Sequence, residues 1–143
     1  MKRLSAEIEK NLTERFSKDS LISLATAVDN RPYVRTVDAF YDKGSFYVLT
    51  HALSNKMKQI NINPNVAISG DWFTATGTGM NLGYFCKEEN REIADKMRKY
   101  FAAWIDNGHN DFADENTVIL QIKLTNGTIV INNEWINMDF TQQ

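Results

Sequence analysis

Three extended runs follow one another so closely between residues 20 and 50 that the chain has few ways to pair them. SLISLATAV (20–28) places Ile22, Leu24, Thr26 and Val28 on one face and the smaller Ser23, Ala25 and Ala27 on the other. A period of two with β-branched residues predicts a strand. DNRP (29–32) is turn chemistry, YVRTVDAFY (33–41) is the next strand, DKG (42–44) is a tight turn and SFYVLT (45–50) is a third strand. Gly44 occupies a position that a short hairpin loop favours. Parallel neighbours need a crossover of a dozen or more residues, so connections this short predict antiparallel pairing.

The remaining elements fit around that core. Leu4, Ile8, Leu12 and Phe16 recur every four residues and predict an amphipathic helix over 4–16. A second helix, 54–62, carries Met57 and Ile60 on one side and must stop before Pro64. NVAISGDWFT (65–74) and the stretch to Phe85 read as two more strands, with Gly70, Gly77, Gly79 and Gly83 suggesting bends or bulges. KEENREIADKMRKYFAAWID (87–106) reads as a long helix with acids first and bases later, stopping at Asn107-Gly108. TVILQIKL (117–124) and TIVIN (128–132) read as a hairpin turning at Asn126-Gly127, and Trp135, Ile136, Met138 and Phe140 as a short closing strand. Repeats and linkers are absent, so residues 1–143 read as a single α+β domain, mainly β, built on an antiparallel barrel or sheet.

Composition excludes several classes of function. A chain of 143 residues buries roughly 68–70% of its unfolded surface and holds a core without staples. Sixteen basic and 18 acidic side chains leave a net charge of −2, which argues against nucleic acid and anionic membranes as partners. A lone cysteine, Cys86, forms neither an intramolecular disulfide nor a cysteine-rich metal site. MKRLSAEIEK lacks the apolar segment of a secretory signal, and no apolar run approaches the ~20 residues of a membrane span. The expectation is a cytoplasmic protein.

One stretch carries chemistry. In YVLTHALSNKMKQININ (47–63) a strand ends on Thr50 and a helix opens on Ser54-Asn55-Lys56. Free amides and a partial positive charge make a helix N-terminus an anion site. Thr50 can offer its hydroxyl to the same volume. Arg35, on the strand face shared by Tyr33 and Val37, adds a planar fork suited to phosphate. The plainer alternative for the same residues is a helix cap, a solvated lysine and a surface arginine.

The ordered series Arg-Pro-Tyr-Val-Arg-Thr-Val (31–37), Phe-Tyr-Val-Leu-Thr (46–50), Ser-Asn-Lys-Met-Lys-Gln-Ile (54–60) and Asn-Pro-Asn-Val-Ala (63–67) resembles the pyridoxamine 5′-phosphate oxidase-like family of FMN-binding split barrels, with the general stress protein 26 branch nearest. The resemblance runs from about residue 5 to 125. It implies a six-stranded antiparallel split barrel of Greek-key topology, and a homodimer with FMN at the interface. It also implies cofactor contacts from Arg35, Thr36 and Val37 on one strand, Leu49 and Thr50 at the end of another, and Ser54, Asn55 and Lys56 at the helix start. Two departures stand out. Asn55 replaces an arginine found in some relatives. The tail NNEWINMDFTQQ lacks the arginine and histidine with which pyridoxamine phosphate oxidases grip their substrate. The resemblance therefore implies a flavin-dependent oxidoreductase acting on another small molecule, with a non-catalytic flavin, deazaflavin or haem binder as the alternative. No residue is assigned as catalytic. His51 is a candidate proton donor beside a simpler surface reading. His109, Asp111, Asp114 and Glu115 read as a solvated loop without calcium-loop spacing, Cys86 as a buried thiol, and Trp72 and Trp104 as core or interface residues.

Overall fold

The computed structural model describes residues 1–142; Gln143 lies outside the described residues. Strand β1 (Lys2–Arg3) precedes helix α1 (Ala6–Phe16), strands β2 (Ser20–Val28), β3 (Arg31–Asp42) and β4 (Ser45–His51), and helix α2 (Asn55–Ile62). Strands β5 (Asn65–Gly70) and β6 (Phe73–Tyr84), helix α3 (Arg91–Tyr100), β7 (Thr117–Ile131) and β8 (Glu134–Asp139) complete the chain. Strands β2 to β7 close an antiparallel barrel in the order β7-β4-β3-β2-β5-β6, with β6 returning to β7. The meander β2-β3-β4 is followed by a strand that crosses back to lie beside β2, which is the Greek-key arrangement. Helix α2 is that crossing, and so it lies over one end of the barrel.

Four two-residue turns connect the hairpins: Asp29–Asn30, Lys43–Gly44, Asp71–Trp72 and Asn132–Asn133. In each, both residues have positive φ. This backbone matches the right-handed twist of the strands it joins. Alternation then sorts side chains to two cores. Inward-facing Ile22, Leu24, Val37, Phe46, Val48 and Leu120 meet Leu12 and Phe16 of α1 in the main core. On the outer face, Phe40, Tyr47 and Ile119 pack under Met97 of α3 and Phe101 and Ile105 beyond it.

Several expectations need correction. Asn126-Gly127 is not a turn, because β7 runs unbroken from Thr117 to Ile131. It pairs with β4 through its first half, with β8 through its second, and with β6 along most of its length. Gly127 serves close packing instead: a Cβ there would lie 3.0 Å from Phe73 and from the Thr74 carbonyl. The helix expected over 87–106 is shorter. Its first turn is a 3₁₀ segment, Glu88–Asn90, held by the buried Asn90 amide donating to the Leu82 and Tyr84 carbonyls at 3.0 and 2.8 Å. Beyond Tyr100 the chain tightens into turns, with Trp104 N–H donating to the Phe101 carbonyl. The first helix starts at Ala6, capped by Ser5, while Leu4 packs on the core from outside it. The expected strand over 65–74 is broken at Asp71–Trp72, and β1 adds a short parallel edge to β8 that no pattern foretold.

Cys86 is exposed, not buried. Trp72 is 71% exposed on its turn, edge-on to the equally exposed Trp135, so it is no core residue. Trp104 is half-buried, stacked on Phe101 at 4.8 Å, and its indole N–H donates to Asp19 at 2.9 Å. The bulge reading near the glycines holds: the β6–β7 register shifts between Thr76 and Gly77 and again between Asn81 and Tyr84. Among the described residues no helix is long and apolar enough to cross a membrane.

Candidate anion site at one end of the barrel

The site lies where β2 ends, β3 begins and β4 runs into α2. Arg35 stands opposite Leu24 in the β2–β3 ladder and so shares its inward face. Thr50 follows Phe46 and Val48 on the inward face of β4. Ser54 caps α2 by accepting from the Met57 amide at 3.4 Å. The helix seats closely because β6 has no side chain beneath it: a Cβ on Gly79 would lie 2.9 Å from the Ile60 side chain. Met57 and Ile60, both buried, anchor that face of α2.

Two cations meet here. The Lys56 ammonium donates to the Thr50 hydroxyl at 3.0 Å, and that hydroxyl lies 3.5 Å from the Ser54 hydroxyl. The Arg35 guanidinium donates to the Thr26 hydroxyl at 2.9 Å, to the Leu24 carbonyl at 3.3 Å and to Gln59 Oε1 at 2.6 Å. Buried Thr26 in turn donates to the same Gln59 oxygen at 2.6 Å. Arginine has no acceptor, so the Gln59 atom facing it must be the oxygen, and the Gln59 amide nitrogen turns away. Among the described residues neither Arg35 nor Lys56 has a carboxylate within ion-pair distance. Burial lowers the Lys56 pKa, and the Arg35 charge lowers it further. Burial likewise lowers that of Arg35.

The helix adds to the excess. The first turns of α1 and α3 carry acids, Glu7 and Glu9 in one and Glu92 in the other, as the helix dipole prefers. The first turn of α2 carries none and holds Lys56 instead. Two cations and a helix N-terminus thus converge without a counter-charge. Such an arrangement costs the folded protein stability and is relieved by an anion.

The remaining expected residues divide. Val37 lies deeper on the Arg35 face, buried in the main core. Thr36 points to the outer face of β3 and is exposed, and Asn55 is exposed at the first helical position. Leu49 lies on the face opposite Thr50 and packs toward the α3 core. Its side chain is therefore not gathered with the cations. Gln59 and Thr26 belong to the cluster although nothing in the motif pointed to them. Both nitrogens of His51 are engaged: Nε2 lies 3.0 Å from Asp114 Oδ2, and Nδ1 accepts the Leu53 amide at 3.3 Å. With Nδ1 accepting, Nε2 carries the proton and donates it to Asp114. The 109–115 loop is fastened to β4 by this pair, and no metal cluster is found among the described residues.

The barrel thus carries, at the start of its crossing helix, a helix N-terminus and two cations of the kind that favour an anion. Residues 8–130 match the pyridoxamine 5′-phosphate oxidase family, and the chain belongs to it. No curated protein sequence matches the chain. The fold is similar to that of General Stress Protein 26 from Bacillus anthracis, at 18% identity and a TM-score of 0.65, covering 91% of this chain and 98% of that one. It is also similar to an FAD-binding protein from Mesorhizobium loti (17% identity, TM-score 0.66, 87% and 92% covered). A third similar structure is the heme storage protein HutZ from Vibrio cholerae (18% identity, TM-score 0.62, 85% and 90% covered).

Proposed function

We propose that the protein binds FMN and uses it as an oxidoreductase acting on a small molecule. The observation that carries this is the pair of half-buried cations, Arg35 and Lys56, set at the α2 N-terminus with no carboxylate beside them. A flavin phosphate supplies the missing charge. Lys56, the Ser54 end of the helix and the Arg35 fork would hold it, with Thr50 orienting the ammonium. Thr36, Val37, Leu49 and Asn55 complete the proposed contacts, Thr36 and Leu49 through backbone, since their side chains face elsewhere. When bound, the flavin supplies the electron-transfer chemistry, and the protein supplies orientation and exclusion of water. The family and a similar FAD-binding structure support this reading.

We also propose a homodimer. The outer face of β2 and β3 is poorly covered, with Ser23, Ala25 and Ala27 small, and Leu21 and Val34 68% and 71% exposed. A second copy would cover such a surface.

Cofactor binding without turnover is the second reading. A haem ligand is supported by the similarity to HutZ, yet His51, the nearest imidazole, has both nitrogens committed. The test is the visible spectrum of protein purified without added cofactor, and again after FMN addition and desalting. Retained flavin bands at about one per chain support the proposal. Protein that stays colourless after FMN addition refutes it, and a Soret band would move the assignment to haem. Oxidation of NADH or NADPH by the flavin-loaded protein separates turnover from simple binding.

A further inference from the structure

We infer that Gln59 is a charge-neutral tether: it fixes the Arg35 fork while keeping the site cationic, and so sets the selectivity of the site for anionic ligands. The inference rests on the anion reading of the site given above.

The geometry is a closed ring of three hydrogen bonds. Arg35 Nη1 donates to Thr26 Oγ1 at 2.9 Å, Thr26 Oγ1 donates to Gln59 Oε1 at 2.6 Å, and Arg35 Nη2 donates to that oxygen at 2.6 Å. Every member has one consistent role, because arginine only donates and a hydroxyl can accept once and donate once. Gln59 lies on α2 and Thr26 and Arg35 on the neighbouring strands β2 and β3, so the ring also fixes the helix against the sheet. A buried hydroxyl and a half-buried guanidinium are satisfied without a carboxylate.

A carboxylate at position 59 would make the same two bonds, and make them stronger. It differs in its charge and in putting a second oxygen where the outward-turned amide nitrogen stands. It would pair with Arg35, cancel half of the cationic excess, and raise the lowered Lys56 pKa. The internal contacts of the fold would therefore favour glutamate. A glutamine keeps the orientation and leaves the charge for a ligand. Selection for a bound anion explains the choice; selection for fold stability does not.

The test compares FMN with riboflavin, which lacks the phosphate, by fluorescence titration of the wild-type chain, Gln59→Glu and Gln59→Met. The Gln59→Glu chain should lose roughly 10- to 100-fold in FMN affinity, the worth of about one charge-assisted bond, while riboflavin affinity changes little. Its thermal midpoint should be equal to or above that of the wild type. Gln59→Met, which loses the tether but adds no charge, should lower FMN affinity less than Gln59→Glu does and should lower the midpoint. Should Gln59→Glu fail to fold, the stability half of the inference is wrong, and an FMN-to-riboflavin ratio unchanged by Gln59→Met disproves the rest. A wild-type chain that does not prefer FMN to riboflavin removes the anion reading and this inference together. A wild-type preference that persists in Gln59→Glu overturns the tether and leaves the site assignment standing.

Discussion

Lys56 and Lys96 are both half-buried, and each donates a short hydrogen bond, yet they sit in opposite fields. The Lys96 ammonium reaches Asp42 Oδ2 at 2.9 Å and lies 3.8 Å from Glu92. The bond to Asp42 raises its pKa. It fastens α3 to the end of β3 and is complete as it stands. Among the described residues the Lys56 ammonium reaches only the Thr50 hydroxyl, and its pKa is lowered by burial and then by the Arg35 charge. The difference separates a cation paired within the fold from one that the proposed anion would pair. Partly desolvating a charge beside a like charge costs free energy, and folding alone gives no return on it.

The comparison can be broken most directly at the site. Replacing both Arg35 and Lys56 by alanine should weaken FMN binding by about 2–5 kcal/mol, the worth of the charge-assisted bonds removed. The thermal midpoint of the ligand-free protein should fall modestly, as after Gln59→Met, because Arg35→Ala also breaks the ring that ties α2 to the sheet. Flavin fluorescence quenching and a melting curve read the two effects.

Lys96→Ala should do the reverse. Stability in urea should fall by about 1–2 kcal/mol, between the worth of an exposed pair and that of a buried one, while FMN affinity stays at the wild-type value. Loss of affinity in this variant would mean that the two lysines are not independent.

pH sharpens the contrast further. With its pKa lowered, Lys56 discharges before an ordinary lysine as pH rises. FMN affinity should therefore fall on the alkaline side by roughly tenfold, the share of one charge-assisted bond. Lys56→Arg should flatten that fall, since arginine keeps its charge. A titration series from pH 7 to about 10 measures it.

The smallest effect concerns a like-charge pair of acids. Burial, then a hydrogen bond to Asp19 and its charge, raise the Asp38 pKa to about 6. A folded pKa above the unfolded one stabilises the protein below the unfolded value, and that contribution is lost as pH rises through about 6. Asp38→Asn should therefore raise stability at pH 7 by a few tenths of a kcal/mol, small because the side chain is half-exposed and screened. At pH 4 the gain should vanish. Here gain of a proton relieves the repulsion; beside Arg35 it is relieved by loss of the Lys56 proton or by an anion.

Much of the site could be read from the chain because it obeys local rules. Serine ahead of an apolar helix is a cap, and alternation in β3 places Arg35 on the face of Val37. The same alternation places Leu49 opposite Thr50, so its departure from the cluster was also readable. Gln59 was not, because its partners lie 24 and 33 residues away and only the crossing of α2 over the barrel end brings them together. The barrel followed from short turns and period-two runs. The false hairpin at Asn126-Gly127 arose because one dipeptide has two physical uses, a positive-φ turn or close approach of backbones, and local sequence does not say which. The late start of α3 depended on Asn90 and its early end on packing of Phe101 and Ile105, both tertiary.

The central claim is that the uncompensated charge of Arg35 and Lys56 recognises a flavin phosphate. Parallel titrations of the wild-type protein with FMN and with riboflavin, at low and at high salt, address it most directly. The account predicts FMN to bind at least about 30-fold more tightly at low salt, with the advantage shrinking as salt rises. Equal affinities at both salt concentrations would contradict it.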